Sequence, residues 1–440
     1  MKRLLLFSVI VFFNQLFLVD SSAQWVQIPG TAGKYLYAIS GDDENFFAGG
    51  IDSLYRSTNY GMSWQGIETD LPNDATVISL MNSGDNVVAG TDFWGVYRSL
   101  DNGVTWDSTT LEYFTVYSLG RNGSTYFAAA DLFECLDDCG IFISLDNGFT
   151  WNNIFFNADP LTFSVSSSGL LLSDYEDLYR STNNGTTWIR LNALPNQGYV
   201  YTTRLFGNTV FVATDSGLYR ETLPDTNWQL SATGLPANAQ VVNFDESNGK
   251  LFANIDAASV YFSADSGASW QSLNDGFPNG ISVQVLHVQD GFLYATTSDG
   301  IWVRAVDDEK TAIQYVVEAG WNMVSVPVVP LSNEKSLLFP NANSPAFFYQ
   351  AGYVMTDSLW NRYGYWVKSP FTDTLLALGD IVDSDSIPIT IGWNMIGSIS
   401  QTVSVNNITS VPVGLVTSSF FGYSTGYVIA DSIKPAKAYW

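Results

Sequence analysis

Six stretches of this chain end in the same way, and their spacing limits the fold more than any other feature. Five are clear: Ser57 to Trp64 (STNYGMSW), Ser99 to Trp106 (SLDNGVTW), Ser144 to Trp151 (SLDNGFTW), Ser181 to Trp188 (STNNGTTW) and Ser263 to Trp270 (SADSGASW). A sixth, Glu221 to Trp228 (ETLPDTNW), is worn and keeps its tryptophan and the arginine before it. The tryptophans stand 42, 45, 37, 40 and 42 residues apart. A period near forty is the mark of a repeat architecture. Within each box the third residue (Asn59, Asp101, Asp146, Asn183, Asp265) can accept from backbone N–H groups two residues on. The glycine, Gly103 and its equivalents, supplies a positive φ. The tryptophan opens the next strand and covers the turn.

These residues resemble the Asp-box, or bacterial neuraminidase repeat. That repeat is found in β-propellers: sialidases, sortilin-type receptors, xyloglucan hydrolases and the photosystem II assembly factor. The resemblance spans residues 25 to 306 and implies a propeller in which the box is a structural hairpin on the outer part of each blade. It implies no particular chemistry, since one fold serves many functions.

Short strand-like runs come in triplets between the boxes, from Tyr35–Ser40, Phe46–Gly50 and Leu54–Thr58 to Val283–Val288, Leu293–Thr297 and Ile301–Ala305. There are seven triplets but six boxes. Trp25-Val26-Gln27-Ile28 matches the strand that follows each box, for example Trp188-Ile189-Arg190-Leu191. The count predicts a seven-bladed β-propeller in which this first strand completes the last blade, so that no sheet edge is left open.

Asp307-Asp308-Glu309-Lys310 reads as a linker over residues 307–314. A second repeat follows, over 315–440. Gly320-Trp321-Asn322-Met323-Val324-Ser325 returns as Gly392-Trp393-Asn394-Met395-Ile396-Gly397, Phe347-Phe348 as Phe420-Phe421, and Tyr365-Trp366 as Tyr439-Trp440. This predicts a two-repeat, sandwich-like all-β module. It resembles "GWNM" modules of exported bacterial proteins, which often precede a type IX secretion sorting domain. Because Trp366 runs on into Val367-Lys368-Ser369-Pro370 and Trp440 does not, a reading frame continuing past Trp440 is expected.

Lys2 and Arg3, the apolar run Leu4–Leu18 and the small residues Ser21-Ser22-Ala23 form a secretory signal, with a mature start at Gln24. Secretion to the medium or cell surface follows. Cys135 and Cys139 are then expected to form a small disulfide loop. A net charge of −25 repels nucleic acid and anionic membranes.

His287, the only histidine, argues against multi-histidine metal sites. It sits in a strand and is expected to be packed and hydrogen-bonded. Arg56, Arg98, Arg180 and Arg220 share one repeat position, so they cannot converge as the three-arginine clamp of a sialidase. Paired carboxylates of a glycoside hydrolase remain open, because carboxylates are abundant. The loops between second and third strands carry Asp52, Asp92, Asp131, Asp174, Asp215, Asp256 and Asp299. These read as turn caps, with an acidic ring able to hold calcium as the competing reading.

Three adjacent loops carry more. Blade two holds Phe93 and Trp94. Blade three inserts Phe133, Glu134, Asp137 and Asp138 around the two cysteines. Blade four holds Tyr175 and Glu176. Aromatic faces with carboxylates on a rigid scaffold suit a sugar ring or a protein hot spot. The expected function is a non-catalytic exported propeller binding a protein or glycan, with no cofactor. A glycoside hydrolase and an extracytoplasmic assembly factor are the alternatives.

Overall fold

The computed structural model describes residues 7–11, 24–132, 139–156, 162–173, 177–195, 199–223, 227–237, 239–256 and 259–440. It is nearly all β. Two compact units emerge, Gly30–Val303 and Met1–Pro29 with Arg304–Trp440.

Among the described residues, seven four-stranded antiparallel sheets follow the triplets. The first holds Leu36–Asp42, Asn45–Gly50, Ser53–Ser57 and Gln65–Ile67. The last joins Val283–Gln289, Phe292–Thr297 and Gly300–Ala305 to Val26–Gln27, the strand order counted from the sequence. Second strands such as Asn86–Thr91 and Thr209–Thr214 are buried on both faces after their first residue. This is why they read as continuous apolar runs rather than alternating ones.

The sheets close into a ring. Each first strand neighbours those of the adjacent sheets, and Val283–Gln289 returns to Leu36–Asp42. Side chains tie neighbour to neighbour: Ser40 Oγ to Asn82 Oδ1 at 2.6 Å, Ser79 Oγ to the Val116 carbonyl at 2.7 Å, and Asn254 Nδ2 to the Val283 carbonyl at 2.8 Å. This part of the chain is therefore a β-propeller.

The boxes lock these sheets together. In the box at Trp106, Ser99 Oγ donates to Asp101 Oδ1 (2.8 Å) and accepts from Gly103 N (2.8 Å). Asp101 accepts from Val104 N (3.1 Å) and Thr105 N (2.8 Å), three and four residues on, one and two steps further than an Asx turn reaches. Asp146 and Asp265 repeat the pattern, and Asn59 and Asn183 reproduce it with an amide. Bonds from the Thr105 side chain and amide and from Ser99 hold the Asp101 carboxyl down at about 2, and the Ser269 and Ser263 bonds do the same for Asp265. At Asp146 burial opposes ionisation, yet bonds from Thr150, Ser144 and Phe149 still bring it to about 2.

Two successive residues of each turn take positive φ, not the glycine alone: Asn102 (58°) and Gly103 (81°), or Ser266 (55°) and Gly267 (76°). The glycine answers a second demand. A Cβ at Gly103 would lie 2.6 Å from Phe47 of the preceding sheet, and one at Gly267 2.5 Å from Phe211. Four of the five clear boxes thus seat on the second strand of the neighbouring sheet, and the fourth box meets the outer strand, where a Cβ at Gly185 would crowd Ile154. The tryptophan follows its box in: Trp106 packs with Phe47 and Leu54 of sheet one and Val77, Val87 and Ala89 of sheet two. Trp151 bridges sheets two and three, Trp188 sheets three and four, and Trp270 sheets five and six. Trp64 is buried likewise and stacks edge-on against Phe46 at 6.3 Å.

The other unit is built from small sheets. Lys310–Val317 pairs with Asp373–Asp380, so residues 310–314 lie in a strand and not in the linker read for 307–314. The run of charge up to Lys310 hid the alternation that begins at Thr311. Gly320–Val324, Tyr365–Ser369, Ala346–Tyr349 and Tyr353–Thr356 form one sheet, and Phe420–Tyr423 pairs with Tyr427–Ala430. Phe7–Val11, inside the apolar run read as a signal, is a strand between Ser386–Ile389 and Ile408–Val411.

Candidate functional site

In four of the sheets the residue before the first strand bonds the loop between the second and third: Thr76 with Asp92, Tyr199 with Asp215, Gln240 with Asp256 and Ser282 with Ser298. Asp92 N donates to the Thr76 carbonyl and Thr76 N to Asp92 Oδ1, both at 3.0 Å. Gln240 N likewise donates to Asp256 Oδ1 (3.0 Å) and Ser282 N to Ser298 Oγ (3.1 Å), while Asp299 Oδ1 in the loop of the last sheet accepts from Gly33 N (2.5 Å) ahead of the first. These starts and loops therefore share one end of the ring. Asp92, Asp256 and Asp299 accept backbone N–H groups there, as the capping reading expects, and Asp174 lies outside the described residues. Among the described residues, no three acidic, histidine or cysteine side chains gather as a metal site would need.

This end is rich in aromatic side chains, and β-bulges place them there. In six of the seven sheets the described first strand carries a bulge at one position, holding Tyr37, Ile78, Tyr117, Tyr201, Val242 and Gln284. A bulge leaves one residue out of the ladder and re-aims its side chain. First strands contact one another around the ring, so these residues stand nearest its axis. Tyr37 pairs with Tyr35 at 4.9 Å and Tyr201 with Tyr199 at 5.5 Å. Gln284 Nε2 reaches the Tyr35 hydroxyl at 3.2 Å, joining last sheet to first. Burial, with Tyr35 and the Asp92 carboxylate beside it, raises the Tyr37 phenol above its ordinary value.

Phe93 and Trp94 lie at the same end. Phe93 has a φ of 77°, is 51% exposed, and meets Trp94 edge to face at 6.1 Å. Its N–H donates to Thr115 Oγ1 (3.2 Å) at the start of the next sheet, two residues before Tyr117. Gly95 N bonds the Phe114 carbonyl at 2.8 Å, and a Cβ at Gly95 would lie 1.9 Å from the Leu111 carbonyl oxygen. The loop is thus fixed against residues 111–115. Tyr113 and Tyr117, 57% and 50% exposed, complete an aromatic group with Phe93 and Trp94.

Phe133, Glu134, Cys135, Asp137 and Asp138, and Tyr175 and Glu176 of the fourth loop, lie outside the described residues. Cys139 is buried, its Sγ 2.9 Å from Asp131 Oδ1. The axial tyrosines are what the sequence reading missed. A signal exists: Tyr37, Tyr117 and Tyr201 are separated by 80 and 84 residues, two repeat periods each.

The other candidates have structural partners. His287 Nε2 lies 3.4 Å from Gln289 Oε1, Nδ1 lies 3.7 Å from Asp245, and the ring stands edge-on to Phe46. Arg56 and Arg180 bond within their own sheets, to Asn45 Oδ1 (3.4 Å) and the Ser168 carbonyl (3.0 Å). Arg98 and Arg220 hold the next box, through the Asp146 carbonyl (3.1 Å) and the Ser266 carbonyl. Arg98 also covers the Phe149 ring at 4.4 Å. These four arginines act in four separate sheets.

No protein-family model matches this chain, and no curated protein does. Solved structures do. The structure of YCF48 bound to D1 peptide aligns over 65% of this chain and 96% of its own, at 15% identity and a TM-score of 0.54. YCF48 from Cyanidioschyzon merolae aligns over 64% and 98%, at 13% identity and 0.52. The WD40 propeller domain of Doa1 aligns over 65% and 98%, at 11% identity and 0.53. At such identities the likeness is one of fold, and the fold is the β-propeller built above.

Proposed function

We propose that this chain is an exported, non-catalytic propeller that holds a polypeptide partner on the end of the ring where the second-to-third loops meet the starts of the first strands. One observation carries the reading. Bulges set Tyr37, Tyr117 and Tyr201 next to the axis, and the loop bearing Phe93 and Trp94 is bonded down beside Tyr117. Rigid, partly exposed tyrosine and tryptophan side chains give large contact area at low entropic cost. With a net charge of −25, neutral or basic partners are favoured over acidic ones.

The D1 peptide bound by YCF48, a protein of the same fold, supports a polypeptide ligand ahead of a glycan, and favours the assembly-factor type of role over hydrolysis. The boxes are read as Asp-box repeats on the strength of their shared bonding. Residues 1–23 are read as a signal, 24–306 as the propeller, 315–440 as a separate module, and Cys135–Cys139 as a disulfide.

Peptide and glycan arrays, run beside a panel of chromogenic glycosides, test this reading. Retention of peptides without glycoside turnover supports it. Turnover, or retention of glycans alone, overturns it.

A further inference from the structure

The C-terminal module carries two copies of one aromatic group. Phe347 lies opposite Trp366 in the sheet register, and Trp321 stands 5.9 Å from Phe347 and 6.5 Å from Trp366. In the other half Trp393 stands 5.9 Å from Phe421 and 6.5 Å from Trp440. A tyrosine from the opposite half completes each group: Tyr423 packs on Trp366 at 4.8 Å and Tyr349 on Trp440 at 4.9 Å. Tyr349 also meets Tyr353, and Tyr423 meets Tyr427, both at 5.6 Å. Burial raises the Tyr353 phenol above its ordinary value and the neighbouring Tyr427 adds to the rise, so the two groups stand side by side.

The rings stand as walls rather than as a platform. Trp393 is inclined at 65° to Phe421 and 87° to Trp440, and Tyr349 at 77° to Trp440. They bound a cavity of about 370 Å³ whose five lining residues, Tyr349, Trp393, Phe421, Tyr427 and Trp440, are all aromatic. The first group keeps the same geometry, with 85° between Trp321 and Trp366 and 78° between Trp366 and Tyr423. There Trp366 runs on into Val367–Ser369, which is paired along Gly320–Asn322. With that strand in place Trp321 is 43% exposed and Tyr353 56%, against 55% for Trp393 and 56% for Tyr427. The open aromatic face is thus a property of the repeat, not of one edge.

Charge and hydration decide what such a face takes. Ring faces carry negative potential, and a cation among several is attracted by all of them. No cationic side chain lines the cavity, and the chain carries −25. A primary ammonium or a guanidinium would leave water with three or five N–H donors, and few acceptors meet it among rings. A quaternary ammonium has no N–H and gives up no hydrogen bond on entering. Being compact, it touches several near-perpendicular walls at once, whereas a sugar ring lies along one.

We propose that each half of the module binds a trimethylammonium group of the choline type, the first half through Trp321, Phe347, Tyr353, Trp366 and Tyr423. The proposal concerns this module alone and stands apart from the function proposed for the propeller.

Isothermal titration of the full chain with choline tests it. Saturable binding of two equivalents per chain is expected. Dimethylbutanol, the neutral isostere with carbon in place of nitrogen, should bind about ten-fold more weakly, because the attraction of the cation to the rings is gone. Trp321→Ala should remove one equivalent, and Trp321→Phe should retain it. The isostere comparison needs no variant, so it holds even if the alanine chain fails to fold. Phosphatidylcholine vesicles separate the sources. Co-sedimentation that choline reverses assigns the group to a lipid headgroup, and choline binding without co-sedimentation assigns it to a soluble ligand. No saturation with choline, equal binding of the isostere, or two equivalents retained by a folded Trp321→Ala chain would each overturn the proposal.

Discussion

The Tyr294 hydroxyl donates to the Tyr60 carbonyl at 2.8 Å, tying the second strand of the last sheet to the box of the first across the point where the ring closes. A Cβ at Gly61 would stand 2.8 Å from the Tyr294 ring, so the two surfaces fit as closely here as between sheets adjacent in sequence. Tyr294 is fully buried, and burial drives its phenol far above the ordinary value. Tyr294→Phe removes the donor and leaves the carbonyl without it. We expect a loss of about 1 kcal/mol, read as a lower urea midpoint at unchanged slope.

The boxed tryptophans carry more of the stability than the turns they follow. Trp106→Ala empties a site between sheets one and two that Phe47, Leu54, Val77 and Ala89 surround. The expected cost is about 3 to 5 kcal/mol. Trp228, in the worn sixth copy, is only partly buried against its cluster, and Trp228→Ala should cost less. Equal costs by chemical denaturation would contradict the inter-sheet role.

The acidic boxes set a pH limit. Asp101, Asp146 and Asp265 are held at about 2 in the folded chain. A carboxyl whose folded value lies below its unfolded one, about 4, contributes stability above the unfolded value and loses it as pH falls through the folded value. Stability tied to these boxes should therefore fall between pH about 4 and about 2. Asn59 and Asn183 show that an amide completes the same turn. The triple variant Asp101→Asn, Asp146→Asn, Asp265→Asn should fold at pH 7 and show a shallower loss of melting temperature across that window.

Asp92 and Asp256 accept backbone N–H groups at strand ends. We expect chelation of calcium to leave the melting temperature unchanged, and Asp92→Ala to lower it through loss of the bond to Thr76. A rise of several degrees on adding calcium would restore the ion-binding reading of these loops.

The repeat made the sheets legible from sequence, because box and triplet both recur and strand ends fall at Gly, Asn and Asp. The docking of each box on the preceding sheet was not legible. Periodicity reports that Gly103 recurs, but not that Phe47 lies beneath it. The axial tyrosines escaped for a related reason: a bulge shifts the two-residue alternation, so Tyr117 reads as an ordinary strand position. Phe93 and Trp94 were found because they lengthen a loop, which is visible without coordinates. In the C-terminal unit the offset of the two halves gave the repeat, while the exchange of Tyr349 and Tyr423 between halves is a matter of packing that spacing does not encode.

The most direct test replaces Trp94 and Tyr117 together by alanine and compares the variant with the parent chain on a peptide array, with melting temperatures recorded for both. Both side chains are partly exposed, so the fold should persist while peptide retention is lost. Undiminished retention by a folded variant would contradict the placement of the binding surface at this end of the ring.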